Sequence, residues 1–234
     1  MISALQAIVL DFDGVIADSE PLHLKAFQRT LAEEGIELTA EDYYERYLGY
    51  DDVGMFQAVM KDRAITMSDA DVASLVARKG VTLSALLHDG EVLFPGAADF
   101  IRAAAAEVPL AIASGAIRHE ILDIVDGAGL GHLFVAIVAA GDTPESKPSP
   151  APYVLAFERL RQHTGRDLDR QRCVAIEDSR WGLESALGAG LRCVGVTNSY
   201  SADELGHAEL VVGGLDVLTL SELDRLCAKT SLTR

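Results

Sequence analysis

Asp11-Phe12-Asp13-Gly14 places two carboxylates one residue apart, directly behind the apolar run Leu5-Gln6-Ala7-Ile8-Val9-Leu10. A nearly continuous apolar stretch of this kind predicts a buried parallel strand. Side chains alternate with period two along a strand, so both carboxylates are expected to point the same way where it ends. Gly14 then lets the backbone turn away at once. Two like charges 4 Å apart repel by roughly 1 kcal/mol in water and about 4 kcal/mol at an effective dielectric of 20. Such a pair is either a solvated Asp-rich turn, or a site that holds a cation, or a nucleophile beside a proton carrier.

Three further apolar runs end in residues of matching chemistry. Pro109-Leu110-Ala111-Ile112-Ala113 leads into Ser114-Gly115. Phe134-Val135-Ala136-Ile137-Val138-Ala139-Ala140 leads into Gly141-Asp142 and then Ser146-Lys147-Pro148-Ser149-Pro150. Cys173-Val174-Ala175-Ile176 leads into Glu177-Asp178-Ser179. Ligands of open α/β sheets bind outside the carboxyl ends of the parallel strands. Four such ends would bring a nucleophile, hydroxyl and backbone donors, one cation and an acidic pair into a single crevice.

The elements that must position these residues alternate strand and helix. Helices are predicted over 95–108, 117–128, 151–163, 180–188 and about 221–229, and further strands over 192–196 and near 210–212. This pattern predicts an α/β fold, a doubly wound Rossmann-like parallel sheet core. The alternation breaks once, between Asp18 and about Glu91, where only helical patterning is found. Glu20-Pro21 opens a helix ending near Gly35, followed by helical stretches at Glu41–Leu48, Val53–Lys61 and Ser68–Leu87. The expected division is a catalytic core of residues 1–17 and 92–234 with an inserted α-helical cap domain of residues 18–91. Gly127-Ala128-Gly129-Leu130-Gly131 and Gly188-Ala189-Gly190 follow helices, and read as helix terminators, not as nucleotide loops.

Composition narrows the function classes. The 234 residues carry a net charge of −16, which argues against nucleic acid and against an anionic membrane surface. Any anionic ligand would therefore have to be captured by local donors. No apolar run approaches the roughly 20 residues of a membrane span, and no signal peptide is expected. Cys173, Cys193 and Cys227 are odd in number and lie in apolar or helical contexts, so reduced thiols and a cytoplasmic location are expected. A monomer is expected as well.

Taken together, the four motifs resemble those of the haloacid-dehalogenase-like superfamily of Mg²⁺-dependent phosphotransferases, in order, from Leu5 to about Val196. The nearest look is its β-phosphoglucomutase-like and phosphoglycolate-phosphatase-like branch. The resemblance implies Asp11 as the nucleophile that forms an aspartyl-phosphate, and Asp13 as general acid/base that also lends its backbone carbonyl to the metal. It implies Ser114 and Gly115 as phosphate binders, Lys147 as the neutralising cation, and Glu177 and Asp178 as completing the Mg²⁺ site with Asp11 and Asp13. Dehalogenases replace the second Asp, so Asp13 favours phosphoryl chemistry. The helical insertion resembles the cap of this branch, with the crossings near Val15–Asp18 and Asp89–Gly96 as its hinge.

In the cap, His23 and Lys79 match substrate-end residues of the sugar-phosphomutase members, or are a helix-face histidine and a solvated helix-end lysine. Phosphomutase relatives carry an arginine after the Leu-Gly pair that grips a second phosphate. Here Leu48-Gly49-Tyr50-Asp51-Asp52 places Asp52 there, and its carboxylate would repel a second phosphate. Tyr43, Tyr44, Tyr47 and Tyr50 either line a substrate pocket or form the aromatic core of the cap. Trp181 and Tyr153 read as packing residues. The expected activity is Mg²⁺-dependent hydrolysis of a small-molecule phosphate ester such as a sugar phosphate. A sugar phosphomutase is the alternative within enzymes, and a phospho-accepting receiver-like signalling module the alternative outside them.

Overall fold

The computed structural model describes residues 4–47, 50, 52–89 and 92–228. The chain divides into two compact units, one of residues 1–18 and 92–234 and the other of residues 19–91. The larger unit is built on β1 (Ala7–Leu10), β2 (Leu110–Ala113), β3 (Phe134–Val138), β4 (Cys173–Glu177), β5 (Arg192–Val196) and β6 (Leu210–Val212). They form one six-stranded sheet in the order β3-β2-β1-β4-β5-β6, every pairing parallel. The chain winds outward from β1 through β2 to β3, then returns to lay β4 on the other side of β1. This reversal between β1 and β4 is the switch point at which doubly wound folds open a crevice.

Every residue of β1, β2, β4 and β5 is buried, as expected of strands covered on both faces. The alternation sorts them by size. Ala7, Val9, Ala111, Ala113, Cys173 and Ala175 join one cluster with Tyr153, Ala156, Phe157 and Leu160 of the helix Ala151–Thr164. Leu183 and Ala186 of the helix Arg180–Gly188 belong to the same cluster. Ile8, Leu10, Ile112, Val174 and Ile176 have the opposite parity and are also fully buried. Small residues thus line the side where the two site-bearing helices pack.

The predicted core helices appear at Ala97–Ala105, Arg118–Gly127, Ala151–Thr164, Arg180–Gly188 and Leu220–Ala228. Gly129 adopts φ +66° behind the second of these, which confirms a terminator. The two crossings to the insertion are stitched together inside the core unit. Asp18 donates its amide to the Val92 carbonyl at 2.8 Å, Phe94 donates to Ile16 at 3.0 Å, and Ala17 bridges Leu93 antiparallel.

The smaller unit is helical: α1 (Glu20–Glu33), α2 (Ala40–Asp42), α3 (Asp52–Asp62) and α4 (Asp69–Asp89). Its own core gathers Phe27, Leu31, Phe56, Val59 and Leu75, with Phe27 and Phe56 edge-to-face at 5.2 Å. Ser68 and Asp71 cap α4 reciprocally, Asp71 N–H to Ser68 Oγ at 3.2 Å and Ser68 N–H to Asp71 Oδ2 at 3.1 Å. The helix predicted over Glu41–Leu48 departs from expectation: α2 gives way to a π-helical turn at Tyr43–Tyr47, and Leu48 lies outside the described residues. The wider turn keeps Tyr43 and Tyr47 both buried, with their phenols on the carboxylates of Glu20 and Asp62. Tyr44 and Tyr50 are exposed, so the aromatic cluster contributes two residues to the core and two to the surface. No helix among the described residues is long and apolar enough to cross a membrane.

Leu10→Ala, in the central strand, is expected to cost about 3 kcal/mol in urea-induced unfolding, through lost burial and the cavity left behind.

Candidate active site

The site forms at the switch point. Asp11 follows β1 and its amide is fixed to the Ile176 carbonyl of β4 at 2.9 Å. Glu177 is the last residue of β4, and Asp178 comes next. Lys147 comes from the loop after β3 and places its Nζ 2.7 Å from Asp11 Oδ1 and 2.5 Å from Glu177 Oε1. Ser114, Glu177 and Asp178 are buried. One oxygen from each of Asp11, Glu177 and Asp178 lies within 4.8 Å of the others. The Asp13 carboxylate is not in that cluster. The chain leaves the strand after Leu10 and curls so that the Phe12 carbonyl accepts from Ile16 at 2.8 Å and Ala17 at 3.0 Å.

Glu177 is the most heavily bonded group in the site. Its Oε1 accepts from Lys147 and, at 2.9 Å, from the Tyr153 hydroxyl. Its Oε2 accepts from the amides of Asp178 at 3.1 Å and Ser179 at 3.2 Å, and from Ser179 Oγ at 3.1 Å. A fully buried carboxylate with five donors has little lone-pair capacity left. It also sits at the start of the helix Arg180–Gly188, where negative charge is favoured. Gly182 permits this approach, because a Cβ there would stand 1.8 Å from Glu177 Oε1. Gly14, at φ +78°, does the same on the other side, where a Cβ would stand 1.8 Å from Asp178 Oδ2.

Three carboxylates face one ammonium here, which leaves the site short of positive charge. Burial first, then Glu177 and Asp178, push Asp11 well above the ordinary carboxylate range, and Lys147 only partly offsets them. Burial raises Asp178 to about 6, opposed by its hydrogen bond with Ser199. Burial alone would lower Lys147, yet Asp11 and Glu177 outweigh it and hold the ammonium firmly protonated. A cluster of oxygen ligands with this surplus of negative charge fits a divalent cation of the Mg²⁺ type.

Ser114 N–H is anchored on the Val138 carbonyl at 2.9 Å, and its Oγ accepts from Ala116 N–H at 2.9 Å. Ser114, Gly115, Gly141, Ser146 and Lys147 line a cavity of about 220 Å³. Arg118 binds Asp142 and the Ile137 carbonyl, tying the helix Arg118–Gly127 to β3 and the loop after it. Three contributors went unread in the sequence. Tyr153 is packed as expected, but its hydroxyl holds Glu177 and its ring lies 5.1 Å from Lys147 Nζ. Ser199 bonds Asp178, and Asn198 Nδ2 donates to the Gly14 carbonyl at 2.7 Å. Both follow β5, a fifth strand end whose polar residues were the available signal.

The helical unit gathers three of its four candidate residues. Lys79 is 1% exposed, and its Nζ lies 2.8 Å and 3.0 Å from the two oxygens of Asp52 and 3.1 Å from His23 Nδ1. The solvated-lysine reading is thereby corrected: α4 turns this position into the unit's interior. Burial, then the neighbouring ammonium, lower His23 to about 4. Tyr50 is 56% exposed.

With the geometry in hand, comparison with known proteins identifies the class. The family model for haloacid dehalogenase-like hydrolases matches residues 5–190. Protein CbbY of Cereibacter sphaeroides is 34% identical over 235 residues, covering 93% of this chain and 98% of that protein. A phosphorylated carbohydrates phosphatase of Thermotoga maritima is 28% identical over 224 residues, covering 94% and 96%. Among solved structures, a CbbY mutant from Rhodobacter sphaeroides in complex with xylulose-(1,5)bisphosphate superposes with a TM-score of 0.75 at 30% identity, covering 94% of this chain and 99% of that one. The chain belongs to the haloacid dehalogenase-like hydrolases. Within them it is an enzyme of the phosphatase branch, and the receiver-like alternative falls with that assignment.

Three outcomes follow from this geometry. Gly182→Ala is expected to lower stability by about 2 kcal/mol through overpacking against Glu177. Gly115→Ala, whose Cβ would meet nothing within 4 Å, should leave the unfolding midpoint unchanged. His23 is held at about 4 when folded, against 6.5 for the free residue. The unfolded chain therefore binds the extra proton first, and this stability is present above pH 6.5 and lost as pH falls from 6.5 toward 4. Between pH 7 and pH 5 the loss should be about 2 kcal/mol, and His23→Asn should remove that portion of the pH dependence in urea titrations.

Proposed function

We propose that this enzyme hydrolyses the phosphate monoester of a small sugar-like metabolite through an aspartyl-phosphate on Asp11, with Mg²⁺ as cofactor. The observation that supports it most is the single ammonium of Lys147 lying between Asp11 and Glu177 in an otherwise negative, buried crevice. That arrangement gives a carboxylate nucleophile one cationic partner and leaves room for a second. The sugar phosphates associated with the relatives support the substrate class.

Asp11 and Asp178 would hold the metal, with the Asp13 backbone carbonyl as the family resemblance implies. Glu177 adds its charge from behind, since its own oxygens are engaged with five donors. Bound Mg²⁺ would supply positive charge that lets a phosphate dianion approach carboxylates. One Asp11 oxygen attacks phosphorus in line as the ester P–O bond breaks, and Asp13 gives its proton to the departing alkoxide. Asp13, now a carboxylate, takes a proton from water. The resulting hydroxide attacks the aspartyl-phosphate, releasing inorganic phosphate and regenerating Asp11. Lys147 neutralises the nucleophile and the transferring phosphoryl group, while Ser114 Oγ and the amide of Gly115 donate to its oxygens.

Phosphate release from a panel of sugar phosphates, with a coupled readout for isomerised sugar, tests this reading. Wild type with Mg²⁺ should release phosphate, EDTA should abolish release, and Asp11→Asn should reduce kcat by at least about a thousandfold. Asp13→Ala should stall both half-reactions. Full activity in Asp11→Asn would sink the mechanism, and isomerisation without net release would make the enzyme a mutase.

A further inference from the structure

We infer that Asp142 is a positioning residue that locks the Ser114 loop and the Lys147 loop to each other, so that both meet the same phosphoryl group. This rests on the roles proposed above for Ser114 and Lys147 and deepens them.

β3 lies at the edge of the sheet, with β2 as its neighbour. At its site end, backbone groups of Val138 and Ala140 face inward. The Val138 carbonyl accepts from Ser114 N–H at 2.9 Å, and Ala140 N–H donates to the Ala116 carbonyl at 2.9 Å. These two bonds hold the Ser114-Gly115-Ala116 segment at both ends. Backbone groups alternate in direction along a strand, so those of Ile137 and Ala139 turn to the open side and need other partners. Asp142 and two arginines supply them. Asp142 Oδ2 accepts from Ala139 N–H at 3.3 Å, from Arg159 Nη1 at 3.1 Å and from Arg118 Nη2. The same two guanidiniums donate to the Ile137 carbonyl, at 3.0 Å from Arg118 and 2.7 Å from Arg159. One carboxylate and two guanidiniums thus stand in for a neighbouring strand.

The origin of each partner gives the cluster its reach. Arg118 is the first residue of the helix that follows the Ser114 loop, and Arg159 lies on the helix that follows the Lys147 loop. Asp142 belongs to the connection between β3 and Lys147. Its amide closes a turn on the Ala139 carbonyl at 3.1 Å, and Gly141 takes φ +84° within that turn. The turn itself therefore aims the carboxylate back at the strand end. Gly141, the residue before Asp142, lines the same cavity as Ser114, Gly115 and Lys147. The Arg118 side chain is 45% exposed and that of Asp142 21%, and ion pairs so placed add little to stability. Their effect is on geometry: a shift of Asp142 moves two walls of one cavity at once.

A purely structural role and a positioning role differ in whether the loss depends on Ser114. The test measures kcat/KM for p-nitrophenyl phosphate with Mg²⁺, and the Kd of inorganic phosphate by calorimetry, in wild type, Asp142→Ala, Ser114→Ala and the double variant. Asp142→Ala, folded by circular dichroism, should lower kcat/KM and phosphate affinity by about tenfold or more, as expected when reacting groups are displaced. In the Ser114→Ala background the same replacement should cost only about threefold, because one of the two groups it positions is already gone. Where Asp142→Ala fails to fold, Arg118→Ala removes an exposed side chain and asks the same question, with a smaller loss that again shrinks without Ser114. An equal loss in both backgrounds would overturn the inference, as would a folded variant with wild-type turnover and phosphate affinity. Absence of turnover by wild type would overturn the phosphatase reading, while the phosphate titration would still decide the role of Asp142. A wild type that neither turns over nor binds phosphate would overturn both.

Discussion

Holding three carboxylates side by side in a buried crevice is the constraint around which the core unit is organised. Isolated ionised carboxylates are costly in a protein interior, and adjacent ones more so. The fold meets that cost with one ammonium and a dense set of donors. Lys147 bridges Asp11 and Glu177, the amides at the start of the helix Arg180–Gly188 take the other side of Glu177, and Tyr153 closes the set from the preceding helix. What remains uncompensated is negative charge, and that surplus is what suits the crevice to a divalent cation and then to a phosphate ester.

The helices reach this crevice because of what lies beneath them. Alanines and a cysteine on one parity of β1, β2 and β4 let the helix Ala151–Thr164 settle close enough for the Tyr153 hydroxyl to bond the end of β4. Larger Ile, Leu and Val side chains are kept for the opposite face. The helical unit solves a related problem differently. There a lysine is buried without a strand end to hold it, and an aspartate at the start of α3 and a neutral histidine from α1 satisfy it. In both units a lysine is the pivot, but one has carboxylates to spare and the other does not.

Much of this was legible in the chain, for physical reasons that differ by element. Fully buried strands announce themselves as unbroken apolar runs, so β1, β2, β4 and β5 were found with their ends nearly in place, and the motif residues behind them followed. Glu177 was harder. As the last residue of β4 it takes the same parity as Cys173 and Ala175 and meets donors that come from Lys147, Tyr153 and the Asp178-Ser179 turn, a set that no local pattern encodes. The roles of Tyr153 and Ser199 depend on contacts across more than twenty residues, which no local pattern encodes. The π-helical turn at Tyr43–Tyr47 was read as ordinary helix because its spacing is set by where two phenols find carboxylates. The burial of Lys79 was likewise invisible, since a lysine near a glycine on an amphipathic helix has the pattern of a surface residue.

The ribbon in which Ala17 bridges Leu93 has a consequence for how such a protein changes over time. The insertion leaves and re-enters the sheet-bearing unit at neighbouring backbone positions, joined by amide-to-carbonyl bonds that use no side chain. The sheet is therefore closed regardless of what is threaded through that doorway. Helices can be lengthened, replaced or recombined on the far side without disturbing the register of β1 against β2 and β4. A lineage built this way can keep its sheet fixed while exchanging the module inserted beyond it.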